Sequence, residues 1–539
     1  MTDAALSADV LEPGEPKLDE RPPIAARIVF IVLLVCGLAY GVYSLRSDIT
    51  GVGETVAFGV FALLGVALLI ALAFEFVNGF HDTANAVATV IYTHSMHPVV
   101  AVIWSGFFNF VGVVLSSGAV AYSIVTLLPV ELILQVGSTA GYAMIFSLLL
   151  AAIIWNLGTW WLGIPNSSSH ALIGSIMGVG LANQLMAPVG QATSGVDWSQ
   201  AGKVFQALLF SPVVGFIASA LLLLLMKFAI REPQLYQEPK SDAPPPWWIR
   251  GLLILTCTGV SFAHGGNDGQ KGMGLIMLIL IGAAPTAYAL NRTMPDATAP
   301  AFEAAATKAQ AVFAAHSTGA PPVVSIDAAR STVGDALRTQ KVNDPAVYAS
   351  LATLSGDIAA QVKQYGSIKH VPAAATPNLR NDMYLASDAT RLLTKGKNSL
   401  SKPDAKTLKS FQGGLETGTR FIPTWVKVSV AIALGLGTMV GWKRIVVTVG
   451  EKIGKTHLTY AQGASAELVA AVTILGAQVY GLPVSTTHIL SSGVAGTMAA
   501  NGSGLQGRTL LNIALAWILT LPAAIALAGS LYFILRHVF

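Results

Sequence analysis

Runs of about twenty apolar residues recur along this chain, and helices of that length are what cross a hydrocarbon layer of roughly 30 Å. They fall at 24–45 and near 53–80, 98–128, 140–164, 202–229, 248–263, 272–290, 421–441, 464–480 and 508–535. Two small-residue stretches, 166–182 and 485–500, share this composition but are too short to cross alone. The pattern predicts an all-α polytopic membrane protein with about 10–12 membrane segments. A large water-soluble core would need a charged surface; only 11% of the residues are charged, against about 25% in soluble domains. The net charge of +4 is too small to point to nucleic acid. Cys36 and Cys257 both lie in apolar runs, so neither a disulfide framework nor a cysteine metal site is expected.

The runs divide the chain. Residues 1–23 are acidic and proline-containing and read as a disordered tail. Segment 24–52 carries an apolar run too long for a cleaved signal and is expected to be an additional transmembrane helix. Residues 53–230 form a first membrane unit, 231–247 a linker, and 248–290 with 421–539 a second unit. Between the two parts of the second unit, 291–420 holds most of the chain's Asp, Lys and Arg. Its stretches "FEAAATKAQAVFAAH" and "YASLATLSGDIAAQVKQY" have helical periodicity, so a soluble, mainly helical insert is expected there. Basic residues cluster at Lys227, Arg231, Lys240 and Arg250, and again at Lys443, Arg444, Lys452 and Lys455. The charge bias of short loops places both clusters, with the N-terminal tail and the 231–247 linker, in the cytoplasm. The insert, one crossing from each cluster, is then periplasmic or extracellular.

Two polar stretches interrupt the apolar pattern, and each occurs twice. "FVNGFHDTAN" (76–85) aligns with "FAHGGNDGQK" (262–271), pairing Phe76 with Phe262, Gly79 with Gly265 and Asp82 with Asp268. "GIPNSSSHALIGSIMG" (163–178) aligns with "GLPVSTTHILSSGVAG" (481–496), pairing Pro165 with Pro483 and His170 with His488. Asp82 and Pro165 lie 83 positions apart and Asp268 and Pro483 lie 215 apart; the difference, 132, is close to the length of the insert. The chain therefore reads as an internal duplication. Inverted repeats with broken helices at matching positions mark secondary transporters, whose substrate site lies at the repeat interface; a parallel duplication is the alternative.

The chemistry of these stretches is that of an ion site. A fresh helix after Pro165 or Pro483 offers free amides, a positive dipole end and three hydroxyls: Ser167, Ser168 and Ser169, or Ser485, Thr486 and Thr487. That combination suits a tetrahedral oxyanion; plain helix capping is the commoner reason for serine at a helix start taken alone, but duplication beside intramembrane carboxylates favours the oxyanion reading. Asp82 and Asp268 are costly at membrane depth and are candidates to hold a cation or carry a proton, with Glu75 a third carboxylate. Asn78, Asn85 and Asn267 offer neutral amide contacts. Lys271, the one basic residue of the second motif, can pair with an aspartate, contact an anion or snorkel to the interface. His170 and His488 are candidates for proton relay or for a structural hydrogen bond. The Gly-rich motifs themselves are expected to break their helices.

At "NGFHDTANAVATVIYT", "AHGGNDGQKGMGLIM", "GTMVGWKRI", "EKIGK", "TYAQG" and "GLPVSTTHILSSGVAGTM" the chain resembles the inorganic phosphate transporter (PiT) family, over roughly 53–290 and 421–539. Within it, the resemblance is to the bacterial low-affinity, proton-coupled permeases. The family signature is approximately GANDVANA in each half; here both Asp are kept, but His81 replaces one Asn and Lys271 another. In sodium-coupled members those Asn belong to the ion and phosphate cluster, so the substitutions favour the proton-coupled branch. The resemblance implies symport of phosphate as a neutral complex with a divalent metal such as Mg²⁺, with Asp82 and Asp268 able to contact that metal. It further implies inverted repeats, a homodimer in the bacterial inner membrane, and no resident cofactor. The same residues leave open a sodium-coupled phosphate or sulfate permease, or a membrane sensor using the insert. No Ser–His pair with an orienting group and no HExxH motif supports an enzyme.

Overall fold

The structure, a computed structural model, describes residues 16, 18, 22–53, 57–125, 127–128, 138–187, 196, 198–239, 243–395 and 400–538, without the side chains of 82–85 and 199–200. The expected tail 1–23 lies almost entirely outside the described residues, as does Lys240. In chain order the helices are α1 (Ile24–Gly51), α2 (Phe58–Tyr92), α3 (Pro98–Leu115), α4 (Ala119–Val125), α5 (Thr139–Trp161), α6 (Ser168–Leu185), α7 (Trp198–Ala229), α8 (Trp247–Ala283) and the short α9 (Pro285–Tyr288). The insert contributes α10 (Ala299–Ala315), α11 (Ile326–Thr339), α12 (Pro345–Tyr365), α13 (Thr376–Lys395) and α14 (Lys402–Thr419). The chain then continues through α15 (Thr424–Thr438), α16 (Lys443–Glu451), α17 (Tyr460–Val479), α18 (Thr486–Asn501) and α19 (Gly507–Val538). Among the described residues the β-structure amounts to an isolated bridge between Gly454 and Leu505.

By length and apolarity, six described helices can cross a membrane: α1, α2, α3, α5, α7 and α19. The sequence pattern gave more segments for two reasons. The runs 248–263 and 272–290, counted separately there, belong largely to one helix, α8. Of the remaining candidates, α6, α15 and α18 are short and largely buried among the other helices, while α17 is buried over its first half and exposes Leu468, Val472 and Val479 beyond it. Apolar side chains on α1, α7 and α19 face outward, as lipid-facing helices require.

The expectation that the Gly-rich motifs break their helices is corrected here. Backbone 76–85 lies within an unbroken α2 and 262–271 within an unbroken α8. The glycines serve helix–helix approach instead. A Cβ on Gly265 would collide with the backbone of Asn109, one on Gly269 with Val113, and one on Gly272 with the Glu75 side chain. In a bilayer, interrupting a helix leaves amides and carbonyls unsatisfied, whereas small residues let helices pack closely. The breaks fall where proline forces them, between α5 and α6 and between α17 and α18.

Packing repeats between the halves. α3 lies along α8 while α15 lies along α2, and α6 lies on α19 while α18 lies on α7. Matched glycines mark these contacts: Gly178 sits on the Ile525 carbonyl and Gly496 on the Phe216 carbonyl, while Gly112 sits on the Phe262 carbonyl and Gly437 on the Phe76 carbonyl. α3 and α8 run in the same direction, since Ser105 meets Ser261 (2.7 Å between hydroxyls), Asn109 meets His264 and Val113 meets Gly269.

The insert has its own core, built from Phe302, Phe313, Leu351, Leu379, Phe411 and their neighbours. Its two ends meet: the Asn291 amide donates to the Gly418 carbonyl at 2.8 Å.

Candidate functional site

The site starts from two matched turns. Gly163 (φ 67°) and Gly481 (φ 65°) take the left-handed backbone that ends α5 and α17, a conformation available to glycine at little cost. Two residues later Pro165 and Pro483 stop any continuation, and Ser167 and Ser485 cap the new helices. The Ser167 hydroxyl accepts from the His170 amide at 3.2 Å and the Ser485 hydroxyl from the His488 amide at 3.1 Å. The capping alternative thus holds for these two serines; it leaves Ser168, Ser169, Thr486 and Thr487 in the first turns, all buried.

The two helix starts are one site. The Ser169 hydroxyl donates to the Val484 carbonyl at 2.8 Å, and the rings of His170 and His488 lie 4.6 Å apart. α8 passes beside them and delivers Asp268, wholly buried. Its Oδ1 lies 2.7 Å from the Lys271 Nζ, and its Oδ2 accepts from the Thr486 hydroxyl at 3.3 Å. The Lys271 Nζ also donates to the Ser169 hydroxyl at 2.5 Å, so α8 is tied to both helix starts. Asn267 donates from Nδ2 to the Leu482 carbonyl at 3.3 Å, while its Oδ1 is buried without a partner.

A family model, described as the phosphate transporter family, matches residues 78–528 of the chain, across both helix starts and both aspartate motifs. The chain belongs to the phosphate transporter family. It is 42% identical over 487 residues to the low-affinity inorganic phosphate transporter PitB of Escherichia coli (strain K12), covering 87% of this chain and 97% of the relative. To PitA of the same organism it is 43% identical over 493 residues, with the same coverage. A probable low-affinity inorganic phosphate transporter of Bacillus subtilis (strain 168) is 28% identical over 473 residues, covering 88% of this chain and 97% of the relative. A solved structure described as the sodium-dependent phosphate transporter aligns with a TM-score of 0.49 at 21% identity, over 89% of this chain and all of that one. The protein is a multi-pass membrane transporter, not an enzyme.

Within this phosphate transporter family member, the remaining sequence candidates divide. Glu75 is fully buried against Gly272 of α8, with Oε1 unpartnered and Oε2 accepting from Asn78 Nδ2 at 3.5 Å. The Ser168 hydroxyl, His170 Nδ1 and His488 Nε2 are buried without partners, as groups facing a polar ligand would be. His488 also stacks on Trp517, centroids 4.0 Å apart. The Asp82 and Asn85 side chains lie outside the described residues. Among the described residues no three His, Cys, Asp or Glu side chains converge as a metal cluster.

Sequence reasoning missed two participants and, about three turns of α8 away from Asp268, a further buried carboxylate. His264 bridges Asn109 Oδ1 (2.7 Å from Nδ1) and Asp268 Oδ2 (3.4 Å from Nε2). Its spacing of four from Asp268 on a helix was a readable signal. Asn109 carried none. Glu467 on α17 is buried and accepts from the Thr256 hydroxyl at 2.6 Å, one turn into what had read as a plain apolar span.

Proposed function

We propose that the protein imports inorganic phosphate as a neutral divalent metal complex, in symport with protons, across the bacterial inner membrane. The observation that carries this reading is the contact between two hydroxyl-bearing helix starts beside a buried, charge-balanced pair, Asp268 and Lys271. Helix amides and hydroxyls suit a tetrahedral oxyanion. A bare HPO₄²⁻ would need fixed positive charge to offset desolvation. Among the described residues of the membrane portion Lys271 is the fully buried cation, and Asp268 already neutralises it. A metal travelling with phosphate supplies the missing charge, and the buried Glu75, whose Oε1 is unpartnered, is the carboxylate assigned here to contact that metal or to carry the proton.

The architecture supports alternating access. α3 turns back on α2 after 93–97 and runs parallel to α8, so the two aspartate-bearing helices point in opposite directions. This supports inverted repeats, each half opening the shared site to one side. The charge bias of the flanking basic loops supports a periplasmic insert.

The test is phosphate flux into proteoliposomes under imposed pH and sodium gradients, with and without Mg²⁺, Ca²⁺ or Mn²⁺, and with sulfate as competitor. The reading expects accumulation driven by inward protons, dependent on divalent metal and indifferent to sulfate. Equal flux with and without metal removes the complex from the mechanism, and equal competition by sulfate removes the substrate assignment.

A further inference from the structure

Lys271 occupies a position that resembles a cation site more than an anion site. Its Nζ lies 2.7 Å from one carboxylate oxygen of Asp268 and 2.5 Å from the Ser169 hydroxyl, with both charged side chains 0% exposed. The Ser169 hydroxyl is itself oriented by its bond to the Val484 carbonyl in the broken stretch before α18. The second carboxylate oxygen is held by Thr486 and His264. A carboxylate, hydroxyls and an unwound carbonyl are oxygen ligands of the kind transporters offer to small cations at broken helices. Here the ammonium fills that place from within the chain. The contact is also short in sequence: Lys271 is three residues after Asp268 on α8, so the helix itself holds the two together.

We propose that Lys271 is a tethered cation which makes the Asp268 half of the site independent of any external monovalent ion, and that removing it creates a sodium-binding site at Asp268. The inference deepens the proposed transport function and rests on it for the flux measurement alone. Asp268 is then a fixed structural anion joining α8 to both helix starts, not a carrier of protons or metal. Transportable charge enters through Glu75 and the first half. Leaving Asp268 buried without its partner is strongly unfavourable, so the vacated position draws in a cation of suitable size.

The experiment uses the full chain carrying Lys271→Asn, which shortens the side chain and adds an oxygen ligand, and Lys271→Met, which keeps the bulk and removes the charge. Thermal unfolding of purified protein is followed in sodium against choline chloride, and phosphate uptake is measured in the same salts. Wild type is expected to be indifferent to sodium by both readouts. Lys271→Asn is expected to unfold at lower temperature in choline and to be restored by sodium, because the buried Asp268 is left uncompensated without the ion, with uptake lost in choline and recovered in sodium. Lys271→Met, with no room for the ion, is expected to stay destabilised in both salts. The double variant Asp268→Asn with Lys271→Met should recover stability, because neither charge remains. Sodium-dependent unfolding of the wild type would overturn the proposal, as would Lys271→Asn behaving identically in both salts. A double variant no more stable than Lys271→Met would overturn it too. Absence of phosphate uptake by the wild type would instead sink the transport reading while the unfolding measurements still decided this one.

Discussion

The imidazole rings of His170 and His488 lie 4.6 Å apart, centroid to centroid, although they come from opposite halves of the chain. Each is in the first turn of a fresh helix and has its amide held by a capping serine, so the meeting is dictated by backbone rather than by side-chain freedom. Each ring also keeps one buried nitrogen without a partner. These two nitrogens are the groups that the proposed proton coupling, or a direct contact with substrate, would use.

Replacing either histidine by glutamine should therefore flatten the pH dependence of phosphate uptake and raise its apparent KM, with folded protein still present in the membrane. Unchanged pH profiles in both variants would reduce the pair to packing.

Glu75→Gln tests the coupling carboxylate. Glutamine keeps the shape and the contact with Asn78 but cannot ionise. Net proton-driven accumulation should be lost or sharply reduced. Exchange of internal for external phosphate should persist. Loss of both activities together would place Glu75 in substrate binding instead.

Among the polar contacts of the site, Asp268→Asn should sharply reduce uptake because it strips Lys271 of its counter-ion. Asp82→Asn is expected to do the same from the first motif. Thr486→Ala and Ser168→Ala should mainly raise the KM for phosphate, each removing a hydroxyl at a helix start. Uptake assays on membranes with matched protein levels separate these outcomes; wild-type behaviour in all four would remove the site from this place in the fold.

Gly178→Val and Gly496→Val should destabilise to a similar degree, since each drives a side chain into a carbonyl on the facing helix, Ile525 or Phe216. Overpacking of this kind costs about 1–3 kcal/mol. Thermal unfolding in detergent reads it directly. A large effect at one glycine and none at the other would contradict the matched packing of α6 on α19 and α18 on α7.

Excision of the insert is geometrically simple, because Asn291 and Gly418 are already hydrogen-bonded neighbours and the insert keeps a separate core. A short glycine linker joining 290 to 420 should preserve phosphate flux. Complete loss of flux in a folded, membrane-inserted product would show that the insert takes part in transport.

Much of this arrangement was legible along the chain. The apolar runs announced helices at membrane length, and the paired motifs around Asp82 and Asp268, and around Pro165 and Pro483, announced a repeat. The motif glycines misled. Gly265, Gly269 and Gly272 looked like helix breakers in one dimension, yet they serve as contact surfaces for Asn109, Val113 and Glu75. Propensity counts only what a glycine costs its own helix, not the neighbour it admits.

The sequence by itself determined the solvent of this protein, its helical class, the duplication of its motifs and the residue types available for chemistry. These follow from composition, run length and spacing, which are properties of the chain read in order. Only the tertiary structure decided that Lys271 belongs to Asp268 and Ser169, that His264 reaches back to Asn109, and that two helix starts from distant segments share one polar centre. Those pairings arise because buried charges and hydroxyls must find partners wherever packing brings them, and packing joins residues that no local pattern connects.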